Sequence, residues 1–239
     1  MNLDENLNTE NIIYEDGDSR QVELRVIPPY DIDGITLICN DCRTAMQDLR
    51  PVDWVITDPP FSADYGFAND NLSANEFYNF TVSWIRKAER IAKIGLIIIV
   101  DPKYCEPFYK IVSMPYHHTY TWFKRNAMRG MQGGFANKTE VIVWTERKPA
   151  KIDAYPNDVW EIPLIPQDVP HPTPKPTKLM ELIITKFTYE GETILDPFAG
   201  SGSTLRACLD LGRKAVGIEI DKTYYEFIKQ RLSQTTMFV

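Results

Sequence analysis

Apolar positions along the chain fall into two rhythms. Short runs in which nearly every position is apolar recur at Ile35 to Cys39, Val52 to Thr57, Leu96 to Val100, Thr193 to Leu195 and Ala215 to Ile220. Runs without alternation suit strands covered on both faces, as in a parallel sheet. Between them the spacing becomes helical. Phe77, Phe80, Trp84, Ile85, Ala88 and Ile91 repeat at intervals of mostly three and four, predicting a helix ended by Gly95. Further helices are expected after a polar turn at Asn40-Asp41-Cys42, running through Leu49 and stopped by Pro51, then from Thr177 to about Tyr189, from Ser203 to Leu211 and from Tyr224 to Leu232. Thr119 to Phe123 and Glu140 to Thr145 read as two strands joined by a polar, glycine-containing segment. Residues 149–176 are rich in proline and carry neither rhythm, so an extended connection is expected. The whole predicts an α/β domain over residues 31–239, after an extension over 1–30 of which residues 1–20 look loosely attached.

Composition narrows this picture. The 239 residues are 44% hydrophobic, enough for one substantial core. No apolar run reaches the length of a membrane span, and Met1 to Arg20 is acidic and polar with no leader-like pattern, so a cytoplasmic location is expected. The four cysteines fit a reducing compartment. Cys39 and Cys42 form an isolated Cys-x-x-Cys with only His117, His118 and His171 elsewhere, so no metal site is expected. A net charge of −7 argues against a chain coated for nucleic acid. Yet Lys124, Arg125, Arg129, Lys138, Arg147, Lys148 and Lys151 concentrate in the middle of the chain, where they could form a local basic face.

Two segments carry candidate chemistry. Asp58-Pro59-Pro60-Phe61 follows the strand-like Trp54 to Thr57, and Asp196-Pro197-Phe198-Ala199-Gly200-Ser201-Gly202 follows Thr193 to Leu195. The C-terminal ends of parallel strands line the crevice where α/β folds bind ligands. The first segment offers a carboxylate, a rigid carbonyl and an aromatic face, suited to a flat ring bearing an amine. The second offers a tight glycine turn opening a helix. Gly217-Ile218-Glu219-Ile220-Asp221 ends the next strand with acids, and Glu219 is placed to accept from two ribose hydroxyls. A dinucleotide site also uses a glycine turn and an acid there, but Leu205 stands where its third glycine belongs.

In this order the segments resemble the β-type, permuted S-adenosylmethionine-dependent DNA amino-methyltransferases, over most of Leu37 to Leu232. The resemblance implies a Rossmann-like α/β fold with a mostly parallel sheet and one antiparallel strand. It implies methyl transfer from S-adenosyl-L-methionine to adenine N6, with cytosine N4 or a non-catalytic DNA-binding relative as alternatives. Aspartate at the head of the catalytic motif favours adenine, since cytosine enzymes of the family more often carry serine there. Asp58 and the Pro59 carbonyl would hold the amine hydrogens, with Pro60 stiffening the turn and Phe61 stacking on the base. Cofactor contacts would come from Asp58, Asp196, Phe198, Ala199, Gly200, Ser201, Gly202 and Ser203. Glu219 and Ile220 would join them, as would Asn40, Asp41 and Cys42 near the adenine ring. His171-Pro172-Thr173-Pro174-Lys175-Pro176 resembles the segment that covers the methionine portion, through His171 and Lys175, although Pro174 replaces the family's usual glutamine. The target base must leave its double-stranded DNA. Lys124, Arg125, Arg129, Gln132, Asn137 and Lys138, in and beside the segment 125–138, are the candidates for touching it. So short a segment implies a short recognition site, loose specificity or help from a second copy in a homodimer.

Overall fold

The computed structural model describes residues 11–15, 21–25, 28–62, 71–127, 138–147, 157–164 and 169–234. Strands β1 (Asn11–Glu15) and β2 (Gln21–Arg25) pair antiparallel as a separate hairpin, so part of the expected loose extension has regular structure. The β-branched Ile12 and Ile13 and the alternation in Gln21-Val22-Glu23-Leu24-Arg25 favour that pairing.

The main sheet comprises β3 (Tyr30–Ile32), β4 (Ile35–Cys39), β5 (Val52–Thr57), β6 (Ala92–Val100), β7 (Tyr116–Phe123), β8 (Thr139–Glu146), β9 (Val159–Glu161), β10 (Thr193–Asp196) and β11 (Lys214–Glu219). Their spatial order is β3-β4-β11-β10-β5-β6-β8-β7-β9. Strands β4, β11, β10, β5 and β6 run parallel. Strand β8 is antiparallel to both its neighbours, the antiparallel strand that was expected. A second one, β3, lies at the opposite edge, joined to β4 by Asp33-Gly34 with φ of 46° and 84°. Asp-Gly is a strong two-residue hairpin signal, but three residues are too few to announce β3 by pattern. The proline-rich connection likewise contains β9, which adds to β7.

Helices α1 (Cys42–Ala45), α2 (Ala74–Ile91), α3 (Cys105–Ile111), α4 (Thr177–Phe187), α5 (Ser203–Asp210) and α6 (Lys222–Ser233) complete the fold. Helix α2 starts at a reciprocal Ser73–Glu76 capping box. It ends at Ile91 rather than at Gly95, which lies within β6. A Cβ on Gly95 would sit 2.2 Å from the Thr145 carbonyl and 2.8 Å from the Trp54 ring, so this glycine permits close strand approach rather than helix arrest. Helix α3 was not legible. It is short and contains Pro107, tolerated in a first turn that needs no donor there.

Both sheet faces are covered, which explains the uninterrupted apolar runs. Trp54, Ile56, Ile97 and Ile99 point to one layer with α4, and Val55, Leu96, Ile98 and Val100 to the other with α2 and α3. The ends of β4, β11, β10 and β5 therefore stand side by side, at the point where the chain leaves the central strand in both directions. There Asn40, Glu219, Asp196 and Asp58 converge.

Candidate active site

A cavity of about 300 Å³ opens over these strand ends. One wall is built from backbone. After β10 the chain passes Gly200 (φ 52°) and Gly202 (φ 76°) into α5. Left-handed backbone favours glycine, and a Cβ on Gly200 would also lie 3.0 Å from His171 Nε2. Glu219, at the end of β11, accepts from the Gly200 amide through Oε2 (2.7 Å) and from the Asp221 amide through Oε1 (2.8 Å). Burial nonetheless raises its carboxyl to about 7, against the pull of those two bonds. Each oxygen keeps a lone pair for a further donor in the cavity. The bulk of Leu205, where a dinucleotide site has glycine, is admitted by Gly217 opposite, whose Cβ would lie 2.4 Å from Leu205 Cδ1.

Several expected cofactor residues support this wall from behind. Asp196 is buried and accepts from Thr57 Oγ1 (2.7 Å) and the Phe198 amide (3.1 Å), tying β10 to β5. With Ala199, Ser201 and Ser203 it borders a side recess of about 50 Å³ rather than the main cavity. Gly202 borders neither. Ser203 donates to the Lys175 carbonyl (2.7 Å), fastening the segment 171–176 to the glycine turn. Arg231 of α6 reinforces this junction, donating to the Ser201 carbonyl and to Thr177 Oγ1, both at 2.7 Å. Sequence reasoning missed Arg231 because a basic residue near a helix end reads as a solvated charge. Asn40, Asp41, Cys42, Phe198, Ile220 and His171 line the main cavity. Asp41, however, already caps α1 through the Arg43 amide (2.7 Å) and is paired with the Arg43 guanidinium (2.6 Å). Hydrogen bonding from Arg43 holds its carboxyl below the usual range. Burial pushes the Cys42 thiol up to about 12, making it a packing group.

The opposite wall is built from charge. Asp58, just past β5, meets the ammonium of Lys175 at 2.6 Å. That ammonium is also 3.4 Å from Glu140 Oε2, and Lys124 Nζ is 3.0 Å from Glu140 Oε1. The Asp58 side chain is 23% exposed, but onto the cavity rather than bulk solvent. Burial raises its carboxyl to about 6, with Lys175 pulling it down and Glu140 pushing it up. Burial also opposes ionisation of Glu140, but Lys175 and Lys124 outweigh it and hold that carboxyl low. Pro59, Pro60 and Phe61 continue this wall. Phe61 stacks parallel to Tyr104 with centroids 5.4 Å apart, a partner absent from the sequence reading.

Among the expected DNA-contacting residues, Lys124 requires correction. Its side chain is 8% exposed and paired with Glu140, so it faces the cavity and is withdrawn from phosphates. Its alternating strand neighbours disguised it as part of a basic surface. Arg125 is 73% exposed and pairs with Glu161 at 3.1 Å, and Lys138 is exposed at the start of β8. Arg129, Gln132, Asn137, Lys148 and Lys151 lie outside the described residues.

Comparison with known proteins agrees with this arrangement. The profile of the N6/N4 DNA methylase family matches residues 52–230. The type II methyltransferase M.HpaI of Haemophilus parainfluenzae is 31% identical over 230 residues, 82% of this chain and 73% of its own length. The type II methyltransferase M2.DpnII of Streptococcus pneumoniae is 28% identical over 86% of this chain and 92% of its own. The crystal structure of M1.HpyAVI with SAM superposes with a TM-score of 0.66 at 25% identity, over 84% of this chain and all of that one. The cytosine-N4-specific PvuII methyltransferase shares the fold, with a TM-score of 0.72 at 15% identity, over 85% and 88%.

Proposed function

The chain belongs to the N6/N4 DNA methylase family, and from that premise we propose that it transfers a methyl group from S-adenosyl-L-methionine to adenine N6 of a base flipped out of double-stranded DNA. One observation carries the reading. Asp58, whose Oδ1 is buried without a hydrogen-bond partner among the described residues, lines the same cavity that Glu219 and the glycine turn enter from the other side. An acceptor for an amine and a holder for a nucleoside thus share one space.

The residues fit the cofactor. Glu219 would hold its ribose, Asn40 and Asp41 would border its base, and His171 with Phe198 would flank the remainder. Bound there, S-adenosylmethionine supplies a methyl activated by its sulfonium. Asp58 and the Pro59 carbonyl accept the amine hydrogens of the target, drawing the nitrogen lone pair out of conjugation and aiming it across the cavity. The consecutive prolines fix those acceptors in advance, so little reorganises during transfer. Positioning supplies much of the acceleration. Phe61, backed by Tyr104, offers its aromatic surface to the base. Aspartate rather than serine at position 58 supports adenine over the second reading, cytosine N4. Type II relatives support a place in restriction–modification.

Incubating the protein with DNA and S-adenosylmethionine, then resolving the digested nucleosides by mass spectrometry, tests this. N6-methyladenine is expected; N4-methylcytosine would transfer the reading to the second target, and absence of either would remove it.

A further inference from the structure

Two buried carboxylate oxygens in the charged wall lack hydrogen-bond partners among the described residues, Asp58 Oδ1 and Glu140 Oε2. A single ammonium stands between their carboxylates. Lys175 Nζ is seated on Asp58 Oδ2 at 2.6 Å and lies 3.4 Å from Glu140 Oε2. Glu140 itself is anchored on its far oxygen by Lys124 at 3.0 Å. Lys175, Glu140 and Lys124 are 12%, 13% and 8% exposed, so little bulk water reaches these pairs. A buried carboxylate oxygen without a donor is costly, so a wall that keeps two such oxygens gains from a movement that brings one of them a donor.

One N–H of the incoming amine goes to the Pro59 carbonyl and the other to Asp58, whose Oδ1 is sealed by burial and whose Oδ2 is occupied by the lysine. A small displacement of the ammonium toward Glu140 would release Asp58 Oδ2 and satisfy Glu140 Oε2 in the same movement, with no charge left buried alone. We propose that Lys175 is a latch between two carboxylates, resting on Asp58 in the empty site and moving to Glu140 when the target amine arrives, and that Glu140, anchored by Lys124, is therefore a positioning residue for methyl transfer. This rests on the reading of Asp58 as the amine acceptor.

The surroundings agree. Besides Lys175 and Glu140, Asp58 feels Asp196 of β10, which raises its proton affinity. His171, near Lys175, is held neutral by burial and by that lysine, its pKa lowered to about 4, so it does not compete for the ammonium. Glu140 thus pushes Asp58 toward protonation while giving its ammonium somewhere to go. A fixed salt bridge and a latch then differ in what Glu140→Gln does.

The test combines single-turnover methyl transfer across pH with a carbon-13 NMR titration of the Asp58 carboxyl, assigned with Asp58→Asn. In Glu140→Gln the Asp58 midpoint should move to lower pH, because a neighbouring negative charge is gone. If the bridge were fixed, the rate on the high-pH plateau would stay at the wild-type value. For a latch without its second seat, the plateau falls about 10- to 100-fold despite a better-ionised Asp58. S-adenosylmethionine affinity should be unchanged, which shows the fold intact, and Glu140→Asp should recover most of the rate. An unchanged plateau in Glu140→Gln, or no recovery in Glu140→Asp, overturns the latch. An unmoved Asp58 midpoint does so independently of activity. Absence of methyl transfer in the wild-type protein would instead remove the functional reading, while the midpoint shift would still report whether Glu140 governs Asp58.

Discussion

The two walls of the cavity solve the same problem by opposite means. Both present a carboxylate in a poorly hydrated place, Glu219 on one side and Asp58 on the other. Glu219 has each oxygen met by a backbone amide, and the elements carrying those amides are fixed by glycine geometry and by Arg231. Asp58 has one oxygen met by a lysine that a second carboxylate also claims, and the other oxygen met by no donor among the described residues. A ligand that returns in the same form each cycle is suited to a finished site. A base that must be drawn from a duplex, held and released is suited to a site whose hydrogen bonds are incomplete until it arrives.

The largest break in this comparison should come from Asp58→Ala. Methyl transfer should fall by at least about 10²–10³-fold, the scale of removing a preorganised polar group at a reacting centre, with cofactor affinity nearly intact. Calorimetry beside a single-turnover assay checks the separation, and substantial turnover would sink the assignment.

On the finished wall, Glu219→Ala should weaken S-adenosylmethionine binding by roughly 1–3 kcal/mol. The same residue sets a pH dependence. Its folded value near 7 exceeds the ordinary 4.5, so its carboxylate ionises only as pH rises through about 7. Cofactor affinity should rise over that interval and be flatter in Glu219→Gln. Without cofactor, the stability that proton retention contributes is full below about 4.5 and lost as pH rises through about 7. Thermal melts from pH 4.5 to 8 should show that loss in the wild type and less of it in Glu219→Gln.

Arg231→Met leaves the buried Ser201 carbonyl without its donor and unfastens Thr177. A cost of about 1–3 kcal/mol in stability is expected by denaturant titration, with cofactor affinity falling more than DNA affinity. The smallest effect concerns the surface. Arg125→Ala, at an exposed residue, should flatten the slope of log affinity for DNA against log salt by about 0.9 if it meets one phosphate. An unchanged slope would remove it from the DNA-facing surface.

How much of this was legible follows from the range of each interaction. The apolar runs at Val52 to Thr57 and Thr193 to Leu195, and the turns directly after them, placed Asp58 and the glycine segment at strand ends because local pattern and local turn chemistry decide those features. Helix α2 was plain from its period, whereas Gly95 misled because its reason lies across the sheet, in Thr145 and Trp54. Short elements such as β3, β9 and α3 carry too few residues for a period to emerge.

The sequence by itself determined which chemistry the chain holds: a carboxylate before two prolines, a glycine turn, and an acid one βα unit later. Only the tertiary structure decided how those groups are charged and who holds them. Lys124 reads as surface charge until β7 and β8 pair and bury it against Glu140, 16 residues away. Lys175 reaches Asp58 only because the segment 171–176 is fastened over the glycine turn by Ser203 and, through Ser201 and Thr177, by Arg231. Burial and the distance between charges set the strength of such pairs, and neither quantity exists until the chain has folded.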